Sequence, residues 1–526
     1  MKSSLEPLIS AILAAEQKKE SVKDEVIAVS ETVSAAASAY ESLRNTLEYD
    51  EEHLLRRNAI RRILKRRMGE EDAAALANDL LRELIWARYL PNNTISEKII
   101  DKVALVFKKF QPLFERLNKR RRNRGKLSYD WLLDLISTEV EYLLVPARQD
   151  EALASFAYQE LKKRLVFKSA LIAEKDRDLQ LYVAVHRAYL KSNIATLRFR
   201  IFTLYYPRWI TLTKDDDLIG EITSNLDGIA DLIEAQISHR GADAMFRLVR
   251  HHTFVFHILR DIAQDNPMAF AAALEKKDLA ALDRAITQAA DERYSKFQTR
   301  LRRGVVRAVL FLFFTKMVVA LLIEWPYERL VLKVQNLFPL ATNILFHPLL
   351  LGFIGLTVSI PEKRNTEKLI EEIHAVLDLG QDFSLTYKTK RSWARGGYGV
   401  VFQGIYAIMF LMMIGLISFG LYSLSFNWVS ILFFLFFLSL VTFFGLKIRN
   451  TRRELLVIET ASGAIGMLVD IMFLPIVRLG RWMALRAPRI NIFLFFFDFI
   501  VEAPFKAAIR LIEGWLAYLR EKKEEI

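Results

Sequence analysis

Residues 304–323 have the sequence GVVRAVLFLFFTKMVVALLI, the first of four long apolar runs in this chain. About 20 apolar residues in a helix cross the roughly 30 Å hydrocarbon core of a bilayer. The runs therefore predict a transmembrane domain over 301–450. Its four spans are expected at 304–323, 337–360, 398–426 and 428–446.

The 300 residues ahead of these runs have a helical pattern. Apolar side chains recur three or four positions apart, as at Val22, Val26, Val29 and Val33, and strand-like alternation is almost absent. The fold class is therefore expected to be all-α, a polytopic helical membrane protein with a large N-terminal cytoplasmic helical domain. Within 1–300, we expect a long helix at 3–48 and helical bundles over 50–300.

Charge predicts the orientation of the spans. Of the net charge of +13, +9 falls in 301–526, which holds 26 Lys and Arg against 17 Asp and Glu. Basic residues precede the first run, fill the 361–397 loop and follow the fourth run. The positive-inside rule then puts both termini and this loop in the cytoplasm. We expect a multi-pass protein of the cell membrane, the bacterial inner membrane in particular, in contact with anionic lipid headgroups.

The C-terminal tail, 451–526, is expected to lie at the membrane interface. The apolar stretches 464–477 and 490–501 are short for spans and carry Asp470 and Asp498. A six-span alternative breaks the charge rule. After Pro504 an amphipathic helix follows, which lies on the headgroups or packs on the soluble domain. Its expected anchors are Phe505, Ile509, Ile512, Trp515 and Leu516.

Lys316 is the most unusual single residue, because it falls near the middle of the first run. Charges at membrane depth usually face a partner or a cavity. One hypothesis pairs Lys316 with Asp470 or Asp498, and a second has its amine reach an interface along a shifted or tilted helix. A third hypothesis is an ion pathway. Glu324, at the end of the same run, is another nearby acid.

The second run contains Pro339, His347 and Pro348, which predict a broken helix. Broken helices line substrate sites in transporters, but proline also produces simple kinks in membrane helices. Inverted repeats, which transporters usually show, are not visible in the sequence. Simple kinks are therefore the favoured interpretation.

Two basic clusters stand out in the N-terminal region. Clusters of this kind bind the phosphates of RNA or anionic lipid, bind acidic proteins, or form a solvated face paired with nearby acids. Aromatic residues suited to base stacking are not interleaved with them. The clusters comprise Arg56, Arg57, Arg61, Arg62, Lys65, Arg66, Arg67, Lys119, Arg120, Arg121, Arg122 and Arg124.

The sequence offers no motif for catalysis, and we expect neither an enzyme nor a cofactor. The absence of cysteine excludes disulfides, cysteine-ligated zinc and thiol catalysis. His251, His252 and His257 lack the spacing of helical metal ligands. The favoured function is a membrane-anchored scaffold whose helical domain docks a cytoplasmic protein or self-associates. The alternatives are an oligomeric channel or transporter using Lys316, and RNA or ribosome docking through the basic clusters.

Overall fold

The computed structural model describes part of the chain, and two compact units are present in that part. One lies within Lys2–Arg250 and the other within His251–Arg489. The division precedes the expected boundary at 300, because the helices Thr253–Asp265 and Pro267–Lys276 pack against the long helix that begins at Leu279 and contains the first apolar run. The described residues are 5–17, 26–29, 52–67, 72–118, 127–212, 217–333, 337–358, 361, 363–388, 397–457, 474 and 476–482.

The first unit is a helical bundle. Its helices are α1 (Glu6–Gln17), α2 (Glu52–Arg67), α3 (Ala73–Trp86), α4 (Lys98–Asn118), α5 (Tyr129–Leu144), α6 (Arg148–Arg164), α7 (Arg177–Tyr189), α8 (Ile194–Tyr205), α9 (Asp217–Ser224), α10 (Leu226–Ile237) and α11 (Ala242–Arg250). Two 3₁₀ helices, Glu174–Asp176 and Pro207–Thr211, and a short strand β1 (Leu165–Phe167) complete the set.

Helix α5 lies at the centre of this bundle and packs against α2, α4 and α8. The side chain of Ser128 caps its first turn by accepting a hydrogen bond from the backbone N–H of Trp131. Nearly every side chain from Trp131 to Glu141 is buried, polar ones included. A helix buried on all faces must pair its polar groups internally, and this requirement explains the ion pairs described below.

The expected continuous helix over 3–48 is wrong at residues 26–29. Helix α1 ends at Gln17, and Val26 forms an antiparallel bridge with Ser96. The backbone N–H of Ile27 donates to the carbonyl of Ile95 at 2.9 Å. Valine and isoleucine favour extended backbone, so the residue types at Val26 and Ile27 suit this bridge although their spacing suggested a helix.

The second unit contains the apolar helices. Its elements are α12 (Thr253–Asp265), α13 (Pro267–Lys276), α14 (Leu279–Leu332), α15 (Phe338–Leu356), α16 (Lys363–Val376), strand β2 (Leu385–Tyr387), α17 (Gly397–Ser423), α18 (Trp428–Thr451) and a 3₁₀ helix at Arg452–Leu455. Four segments are long and apolar enough to cross a membrane: Leu279–Leu332, Phe338–Leu356, Gln403–Ser423 and Trp428–Arg449.

Helix α14 runs without a break for 54 residues. It is α-helical to Val319 and then contains two π-helical segments, Ala320–Glu324 and Tyr327–Leu332. Lys333 ends it in a left-handed conformation at φ 54°. The expected end of the first span at Ile323 therefore falls inside the helix. An uninterrupted helix of this length extends for about 80 Å.

The polar half of α14, which precedes the apolar run at 304–323, packs against α12 and α16. We call this group of three helices the platform. Asn365 of α16 donates to the Tyr294 hydroxyl and to the Leu455 carbonyl, both at 2.9 Å, and accepts from the Val457 N–H. The segment between the second and third apolar helices is thereby fixed to the first and to the end of the fourth.

Helices α14, α15 and α18 form a three-helix bundle, and α17 contacts α18. Gly355 of α15 lies against Val305 of α14, and Gly445 of α18 lies against Ile354. The missing side chains let the helices approach closely, as glycine does in membrane bundles. We call the end of the bundle that contains Val305, Gly355 and Gly445 the basic end. The opposite end, where α14 ends and α18 begins, is the far end.

The broken helix considered for the second apolar run is not formed, because α15 is continuous from Phe338 to Leu356, whereas the favoured interpretation, a simple kink, stays a prediction. Pro339 occupies the first turn, where its missing N–H has no helical partner to lose. Pro348 lies inside the helix, and such a proline is tolerated where neighbouring helices and side chains compensate for the lost bond. His347 continues the same helix.

Candidate functional site: a buried polar cluster among the apolar helices

Lys316 lies inside the three-helix bundle with no exposed surface. Its Nζ donates to Asn343 Oδ1 of α15 at 2.7 Å and lies 3.8 Å from Glu324 Oε1. It also lies 4.2 Å from the centre of the Phe437 ring of α18. A cation buried among three helices is thus supplied with an oxygen, a carboxylate and an aromatic face.

The π-helical segment explains how Glu324 comes to face Lys316. In a regular α-helix, residues eight positions apart point about 80° away from each other. Of the eight residue-to-residue steps from Lys316 to Glu324, five fall in the π-helix Ala320–Glu324. A π-helix has more residues in each turn, so each step rotates the chain less and the angle between the two side chains becomes smaller. Single π-helical turns occur frequently at functional sites, so this distortion marks the region independently of its charges.

Asn343 connects the members of the cluster. Besides accepting from Lys316, its Nδ2 donates to Glu324 Oε2 at 2.6 Å and to the Ser430 carbonyl of α18 at 3.3 Å. The sequence analysis missed Asn343. It precedes His347 by four residues in an apolar helix, so both share one face, and this spacing was the available signal.

Glu328 forms the outer part of the cluster and is 6% exposed. Asn427 Nδ2 donates to Glu328 Oε1 at 2.8 Å, and the Ser430 hydroxyl donates to the same oxygen at 3.2 Å. Asn427 also caps α18, because its Oδ1 accepts from the Ser430 N–H at 2.9 Å. These residues lie at the far end of the bundle.

His347 lies beside the cluster with no exposed surface. Its two ring nitrogens lie 3.2 Å from the Asn343 carbonyl and 3.0 Å from the Phe434 carbonyl. The ring centres of His347 and Phe437 are 6.0 Å apart, so the imidazole shares this phenylalanine with Lys316. A neutral imidazole carries one N–H and donates to one of the two carbonyls.

The polar groups occupy one half of the bundle. Lys316 is 11 residues beyond Val305, or roughly 16 Å along a helix. The other half is filled by an apolar group of Leu312, Leu351, Phe437 and Val441. In that half, the described hydroxyls of Thr315, Ser439, Thr442 and Thr451 bond to carbonyls of their own helix.

These contacts disagree with the hypothesis that Lys316 reaches an interface, because its amine is enclosed by side chains. Glu324, rather than an aspartate of the tail, is the described carboxylate partner. Asp470 and Asp498 lie outside the described residues, as do the anchors expected in the C-terminal helix and nearly all of 464–477 and 490–501.

The first basic cluster is paired within the first unit. Described carboxylates of α3 and α5 contact its side chains, and Arg62 is also engaged. Burial raises the pKa of Glu141, while Arg56 lowers it. The pairs are Arg56–Glu141, Arg57–Asp134, Arg61–Asp130, Arg61–Asp134, Lys65–Asp130, Arg66–Glu83 and Arg67–Asp79. The second cluster, Lys119 to Arg124, lies outside the described residues.

Two histidines of the second unit, His252 and His374, each contact one carboxylate. His252 Nδ1 lies 3.0 Å from Glu372 Oε2, and His374 Nε2 lies 2.8 Å from Asp283 Oδ1 without hydrogen-bond alignment. Among the residues that the structure describes, no group of three or more His, Asp or Glu is arranged to hold a metal ion.

No family model, curated protein or solved structure matches this chain.

Proposed function

We propose that this protein is a multi-pass membrane protein that acts as a non-enzymatic scaffold. Four helices of sufficient length and apolarity support insertion. The basic residues of the 361–397 segment, together with Arg302, Arg303 and Lys447, support a cytoplasmic basic end in contact with anionic headgroups. By the same rule both termini are cytoplasmic, as expected for a bacterial inner-membrane protein.

The continuity of α14 is the observation on which this proposal depends. Its polar half packs with α12 and α16, and its apolar half enters the buried cluster, with no loop between them. A helix without a linker holds a platform at a fixed height and rotation relative to the bilayer. Such a rigid connection suits the positioning of a bound partner.

The partner is proposed to be a cytoplasmic protein that binds the polar helices over 1–300, which include α12 and the polar half of α14. The ion pairs of α2 support a protein partner over RNA, because its basic side chains already contact carboxylates. The RNA hypothesis now depends on Lys119 to Arg124. It predicts binding that weakens steeply with salt and with charge removal at Arg120–Arg122.

The test is to purify the tagged full-length chain from its own membranes in mild detergent and to identify everything that copurifies, nucleic acid included. The matched variant is Lys316→Met. The proposal expects resistance to alkaline carbonate extraction and a stoichiometric protein partner bound equally by both forms. A clean protein that conducts ions in liposomes, with flux altered by Lys316→Met, would contradict it.

A channel or transporter is the second candidate, and the buried cluster is its specific support. Ionisable side chains at membrane depth commonly mark ion pathways. Two observations weigh against conduction through a single copy: α15 is continuous, and the half of the bundle at the basic end is apolar. Flux measured in liposomes separates the two functions.

A further inference from the structure

We propose that Glu324 and Glu328 share one exchangeable proton that enters from the far end of the bundle and travels no deeper than Lys316. This inference rests on the proposed insertion of α14, α15 and α18 in a bilayer. It does not depend on the scaffold role. It assigns the buried cluster as a proton-binding site.

Among the described residues, the charges in the cluster do not balance without this proton. Helix α14 contributes two carboxylates, Glu324 and Glu328, and one cation, Lys316, all buried. Asn427, which precedes α18, and Ser430 of α18 contribute uncharged polar groups. Two carboxylates against one ammonium leave a net charge of −1, and an uncompensated buried charge is costly. One proton on the carboxyl pair makes the cluster neutral.

Helix α15 contributes His347, the other titratable group beside the cluster. A positive charge on its imidazole is disfavoured because Lys316 contacts the same Phe437 ring. The proton is therefore assigned to the carboxyl pair. Two carboxyl groups sharing a site commonly hold one proton between them, because both cannot ionise at low cost.

Glu324 has the clearest place for this proton. Its Oε2 accepts from Asn343, whereas its Oε1 is buried without a hydrogen-bond partner and lies 3.8 Å from the Lys316 amine. A buried carboxylate oxygen without a partner is costly, and protonation removes most of that cost. Glu328, by contrast, has two donors on one oxygen, from Asn427 and Ser430.

The order of the polar groups gives the direction of entry. Asn427 and Glu328 lie at the far end, Ser430 and Asn343 follow, and Glu324 and Lys316 lie deepest. Beyond Lys316 the described side chains between the helices are mainly apolar, including Leu312, Leu351 and Val441, and the hydroxyls of Ser439 and Thr442 bond to carbonyls of their own helix. A proton therefore reaches the carboxyl pair from the far end, and the described residues offer it no continuous polar route to the basic end.

The test uses dicyclohexylcarbodiimide, an apolar reagent that adds to protonated carboxyl groups. The carboxyl O–H adds across its C=N bond, giving an O-acylisourea. This product rearranges to a stable N-acylurea, or is attacked by the Lys316 amine to give an amide with release of the urea. Peptide mass spectrometry detects both products at Glu324. The full-length chain is reconstituted in sealed vesicles of known orientation, with the pH set separately on each side.

Labelling of Glu324 is expected to rise as the pH at the far end falls, by up to about tenfold per pH unit. The labelling of Glu324 is expected to be independent of the pH at the basic end. Glu324→Gln should abolish this label. Glu328→Gln should reduce it severalfold, because Lys316 alone then balances the one remaining carboxylate. The exposed Glu367 serves as an internal control for reagents that attack any carboxyl.

Three results would overturn the proposal: no label at Glu324 between about pH 5 and pH 9, label that follows the pH at the basic end, or label unchanged by Glu328→Gln. Failure of insertion itself is recognised separately, since alkaline carbonate would then release the chain from the vesicles. Vesicles that retain the chain but show any of these results reject the proton site alone.

Discussion

Among the residues that the structure describes, each unit of this protein buries one lysine, and the two lysines have different surroundings. Lys109 of α4 is 2% exposed, donates to Glu139 of α5 and to the Trp209 carbonyl, and lies 5.0 Å from the centre of the Trp209 indole. Lys316 has the same three kinds of neighbour, a carboxylate, an oxygen acceptor and an aromatic ring. Around Lys109, however, the carboxylate contact is a direct hydrogen bond.

The difference lies in the balance of charge. Glu139 is matched by Lys109 alone, and its second oxygen accepts from the Trp209 indole at 2.7 Å. Burial raises the pKa of Glu139, while Lys109 and the indole lower it. In the second unit, the Asn343 amide bonds to both the Lys316 ammonium and the Glu324 carboxylate. A second buried carboxylate, that of Glu328, belongs to the same cluster. The first arrangement fixes one protonation state, whereas the second leaves room for an additional proton.

The largest effect is expected from Lys109→Met. The Glu139 carboxylate then stays buried without its cation, a change that typically costs about 3–5 kcal/mol. Urea unfolding of the full-length chain, followed by hydrogen exchange in α5, measures it. The matched control is Lys162→Met, which removes an exposed pair with Asp178 and should cost under about 0.5 kcal/mol. Equal effects of the two variants would contradict the buried pairing.

Lys316→Met is expected to cost less, about 1–3 kcal/mol, because the carboxyl pair can take up a second proton in place of the lost cation. Thermal unfolding in detergent across a range of pH values measures this. The cost should grow as pH rises, since the carboxyls must then be neutralised against a lower proton concentration. A loss as large as that of Lys109→Met, and independent of pH, would contradict the distinction between the two lysines.

Asn427→Ala sharpens the comparison at the far end of the cluster. It removes one donor from Glu328 and the cap of α18, and each neutral hydrogen bond contributes about 0.5–1.5 kcal/mol. Because two such bonds are lost, the same unfolding assay should show a loss of about 1–3 kcal/mol. A neutral Asn427→Ala would indicate that Glu328 is not held as described.

The smallest effect concerns His186 of the first unit. Burial, and then Arg200, lowers its pKa well below 6.5. The unfolded chain therefore binds a proton below about pH 6.5 that the folded chain excludes, and stability falls as pH falls through that value. His186→Gln should flatten this part of the pH dependence, measured by urea unfolding between about pH 7.5 and pH 5.5. An unchanged slope would contradict the assignment.

Hydropathy predicted the apolar helices because it depends on composition alone. The runs at 337–360 and 428–446 correspond to α15 and α18 within a few residues at each end. It did not predict the extent of α14, because the first 25 residues of this helix mix polar and apolar side chains and carry no membrane signal. The three- and four-residue spacing predicted a helix over 26–29, where pairing with a distant segment determines the conformation.

The sequence singled out Lys316 but not its surroundings. An isolated charge in an apolar run is visible at once, whereas its partners depend on helix pairing and on the π-helical turn before Glu324. Asn343, Asn427 and Ser430 look unremarkable in sequence, and only the packing of α15 and α18 against α14 brings them together. For the same reason the arginines of α2 resembled a binding surface until their carboxylate partners on α5 were known.

A double-mutant cycle between Lys316→Met and Glu324→Gln tests the central claim most directly, that a buried cluster joins the apolar helices. The unfolding free energies of the wild type, both single variants and the double variant are measured in one detergent or bilayer. The account predicts that the double variant is more stable than the two single losses imply, by about 1–2 kcal/mol. Additive losses would mean that the two side chains do not interact, and would contradict the account.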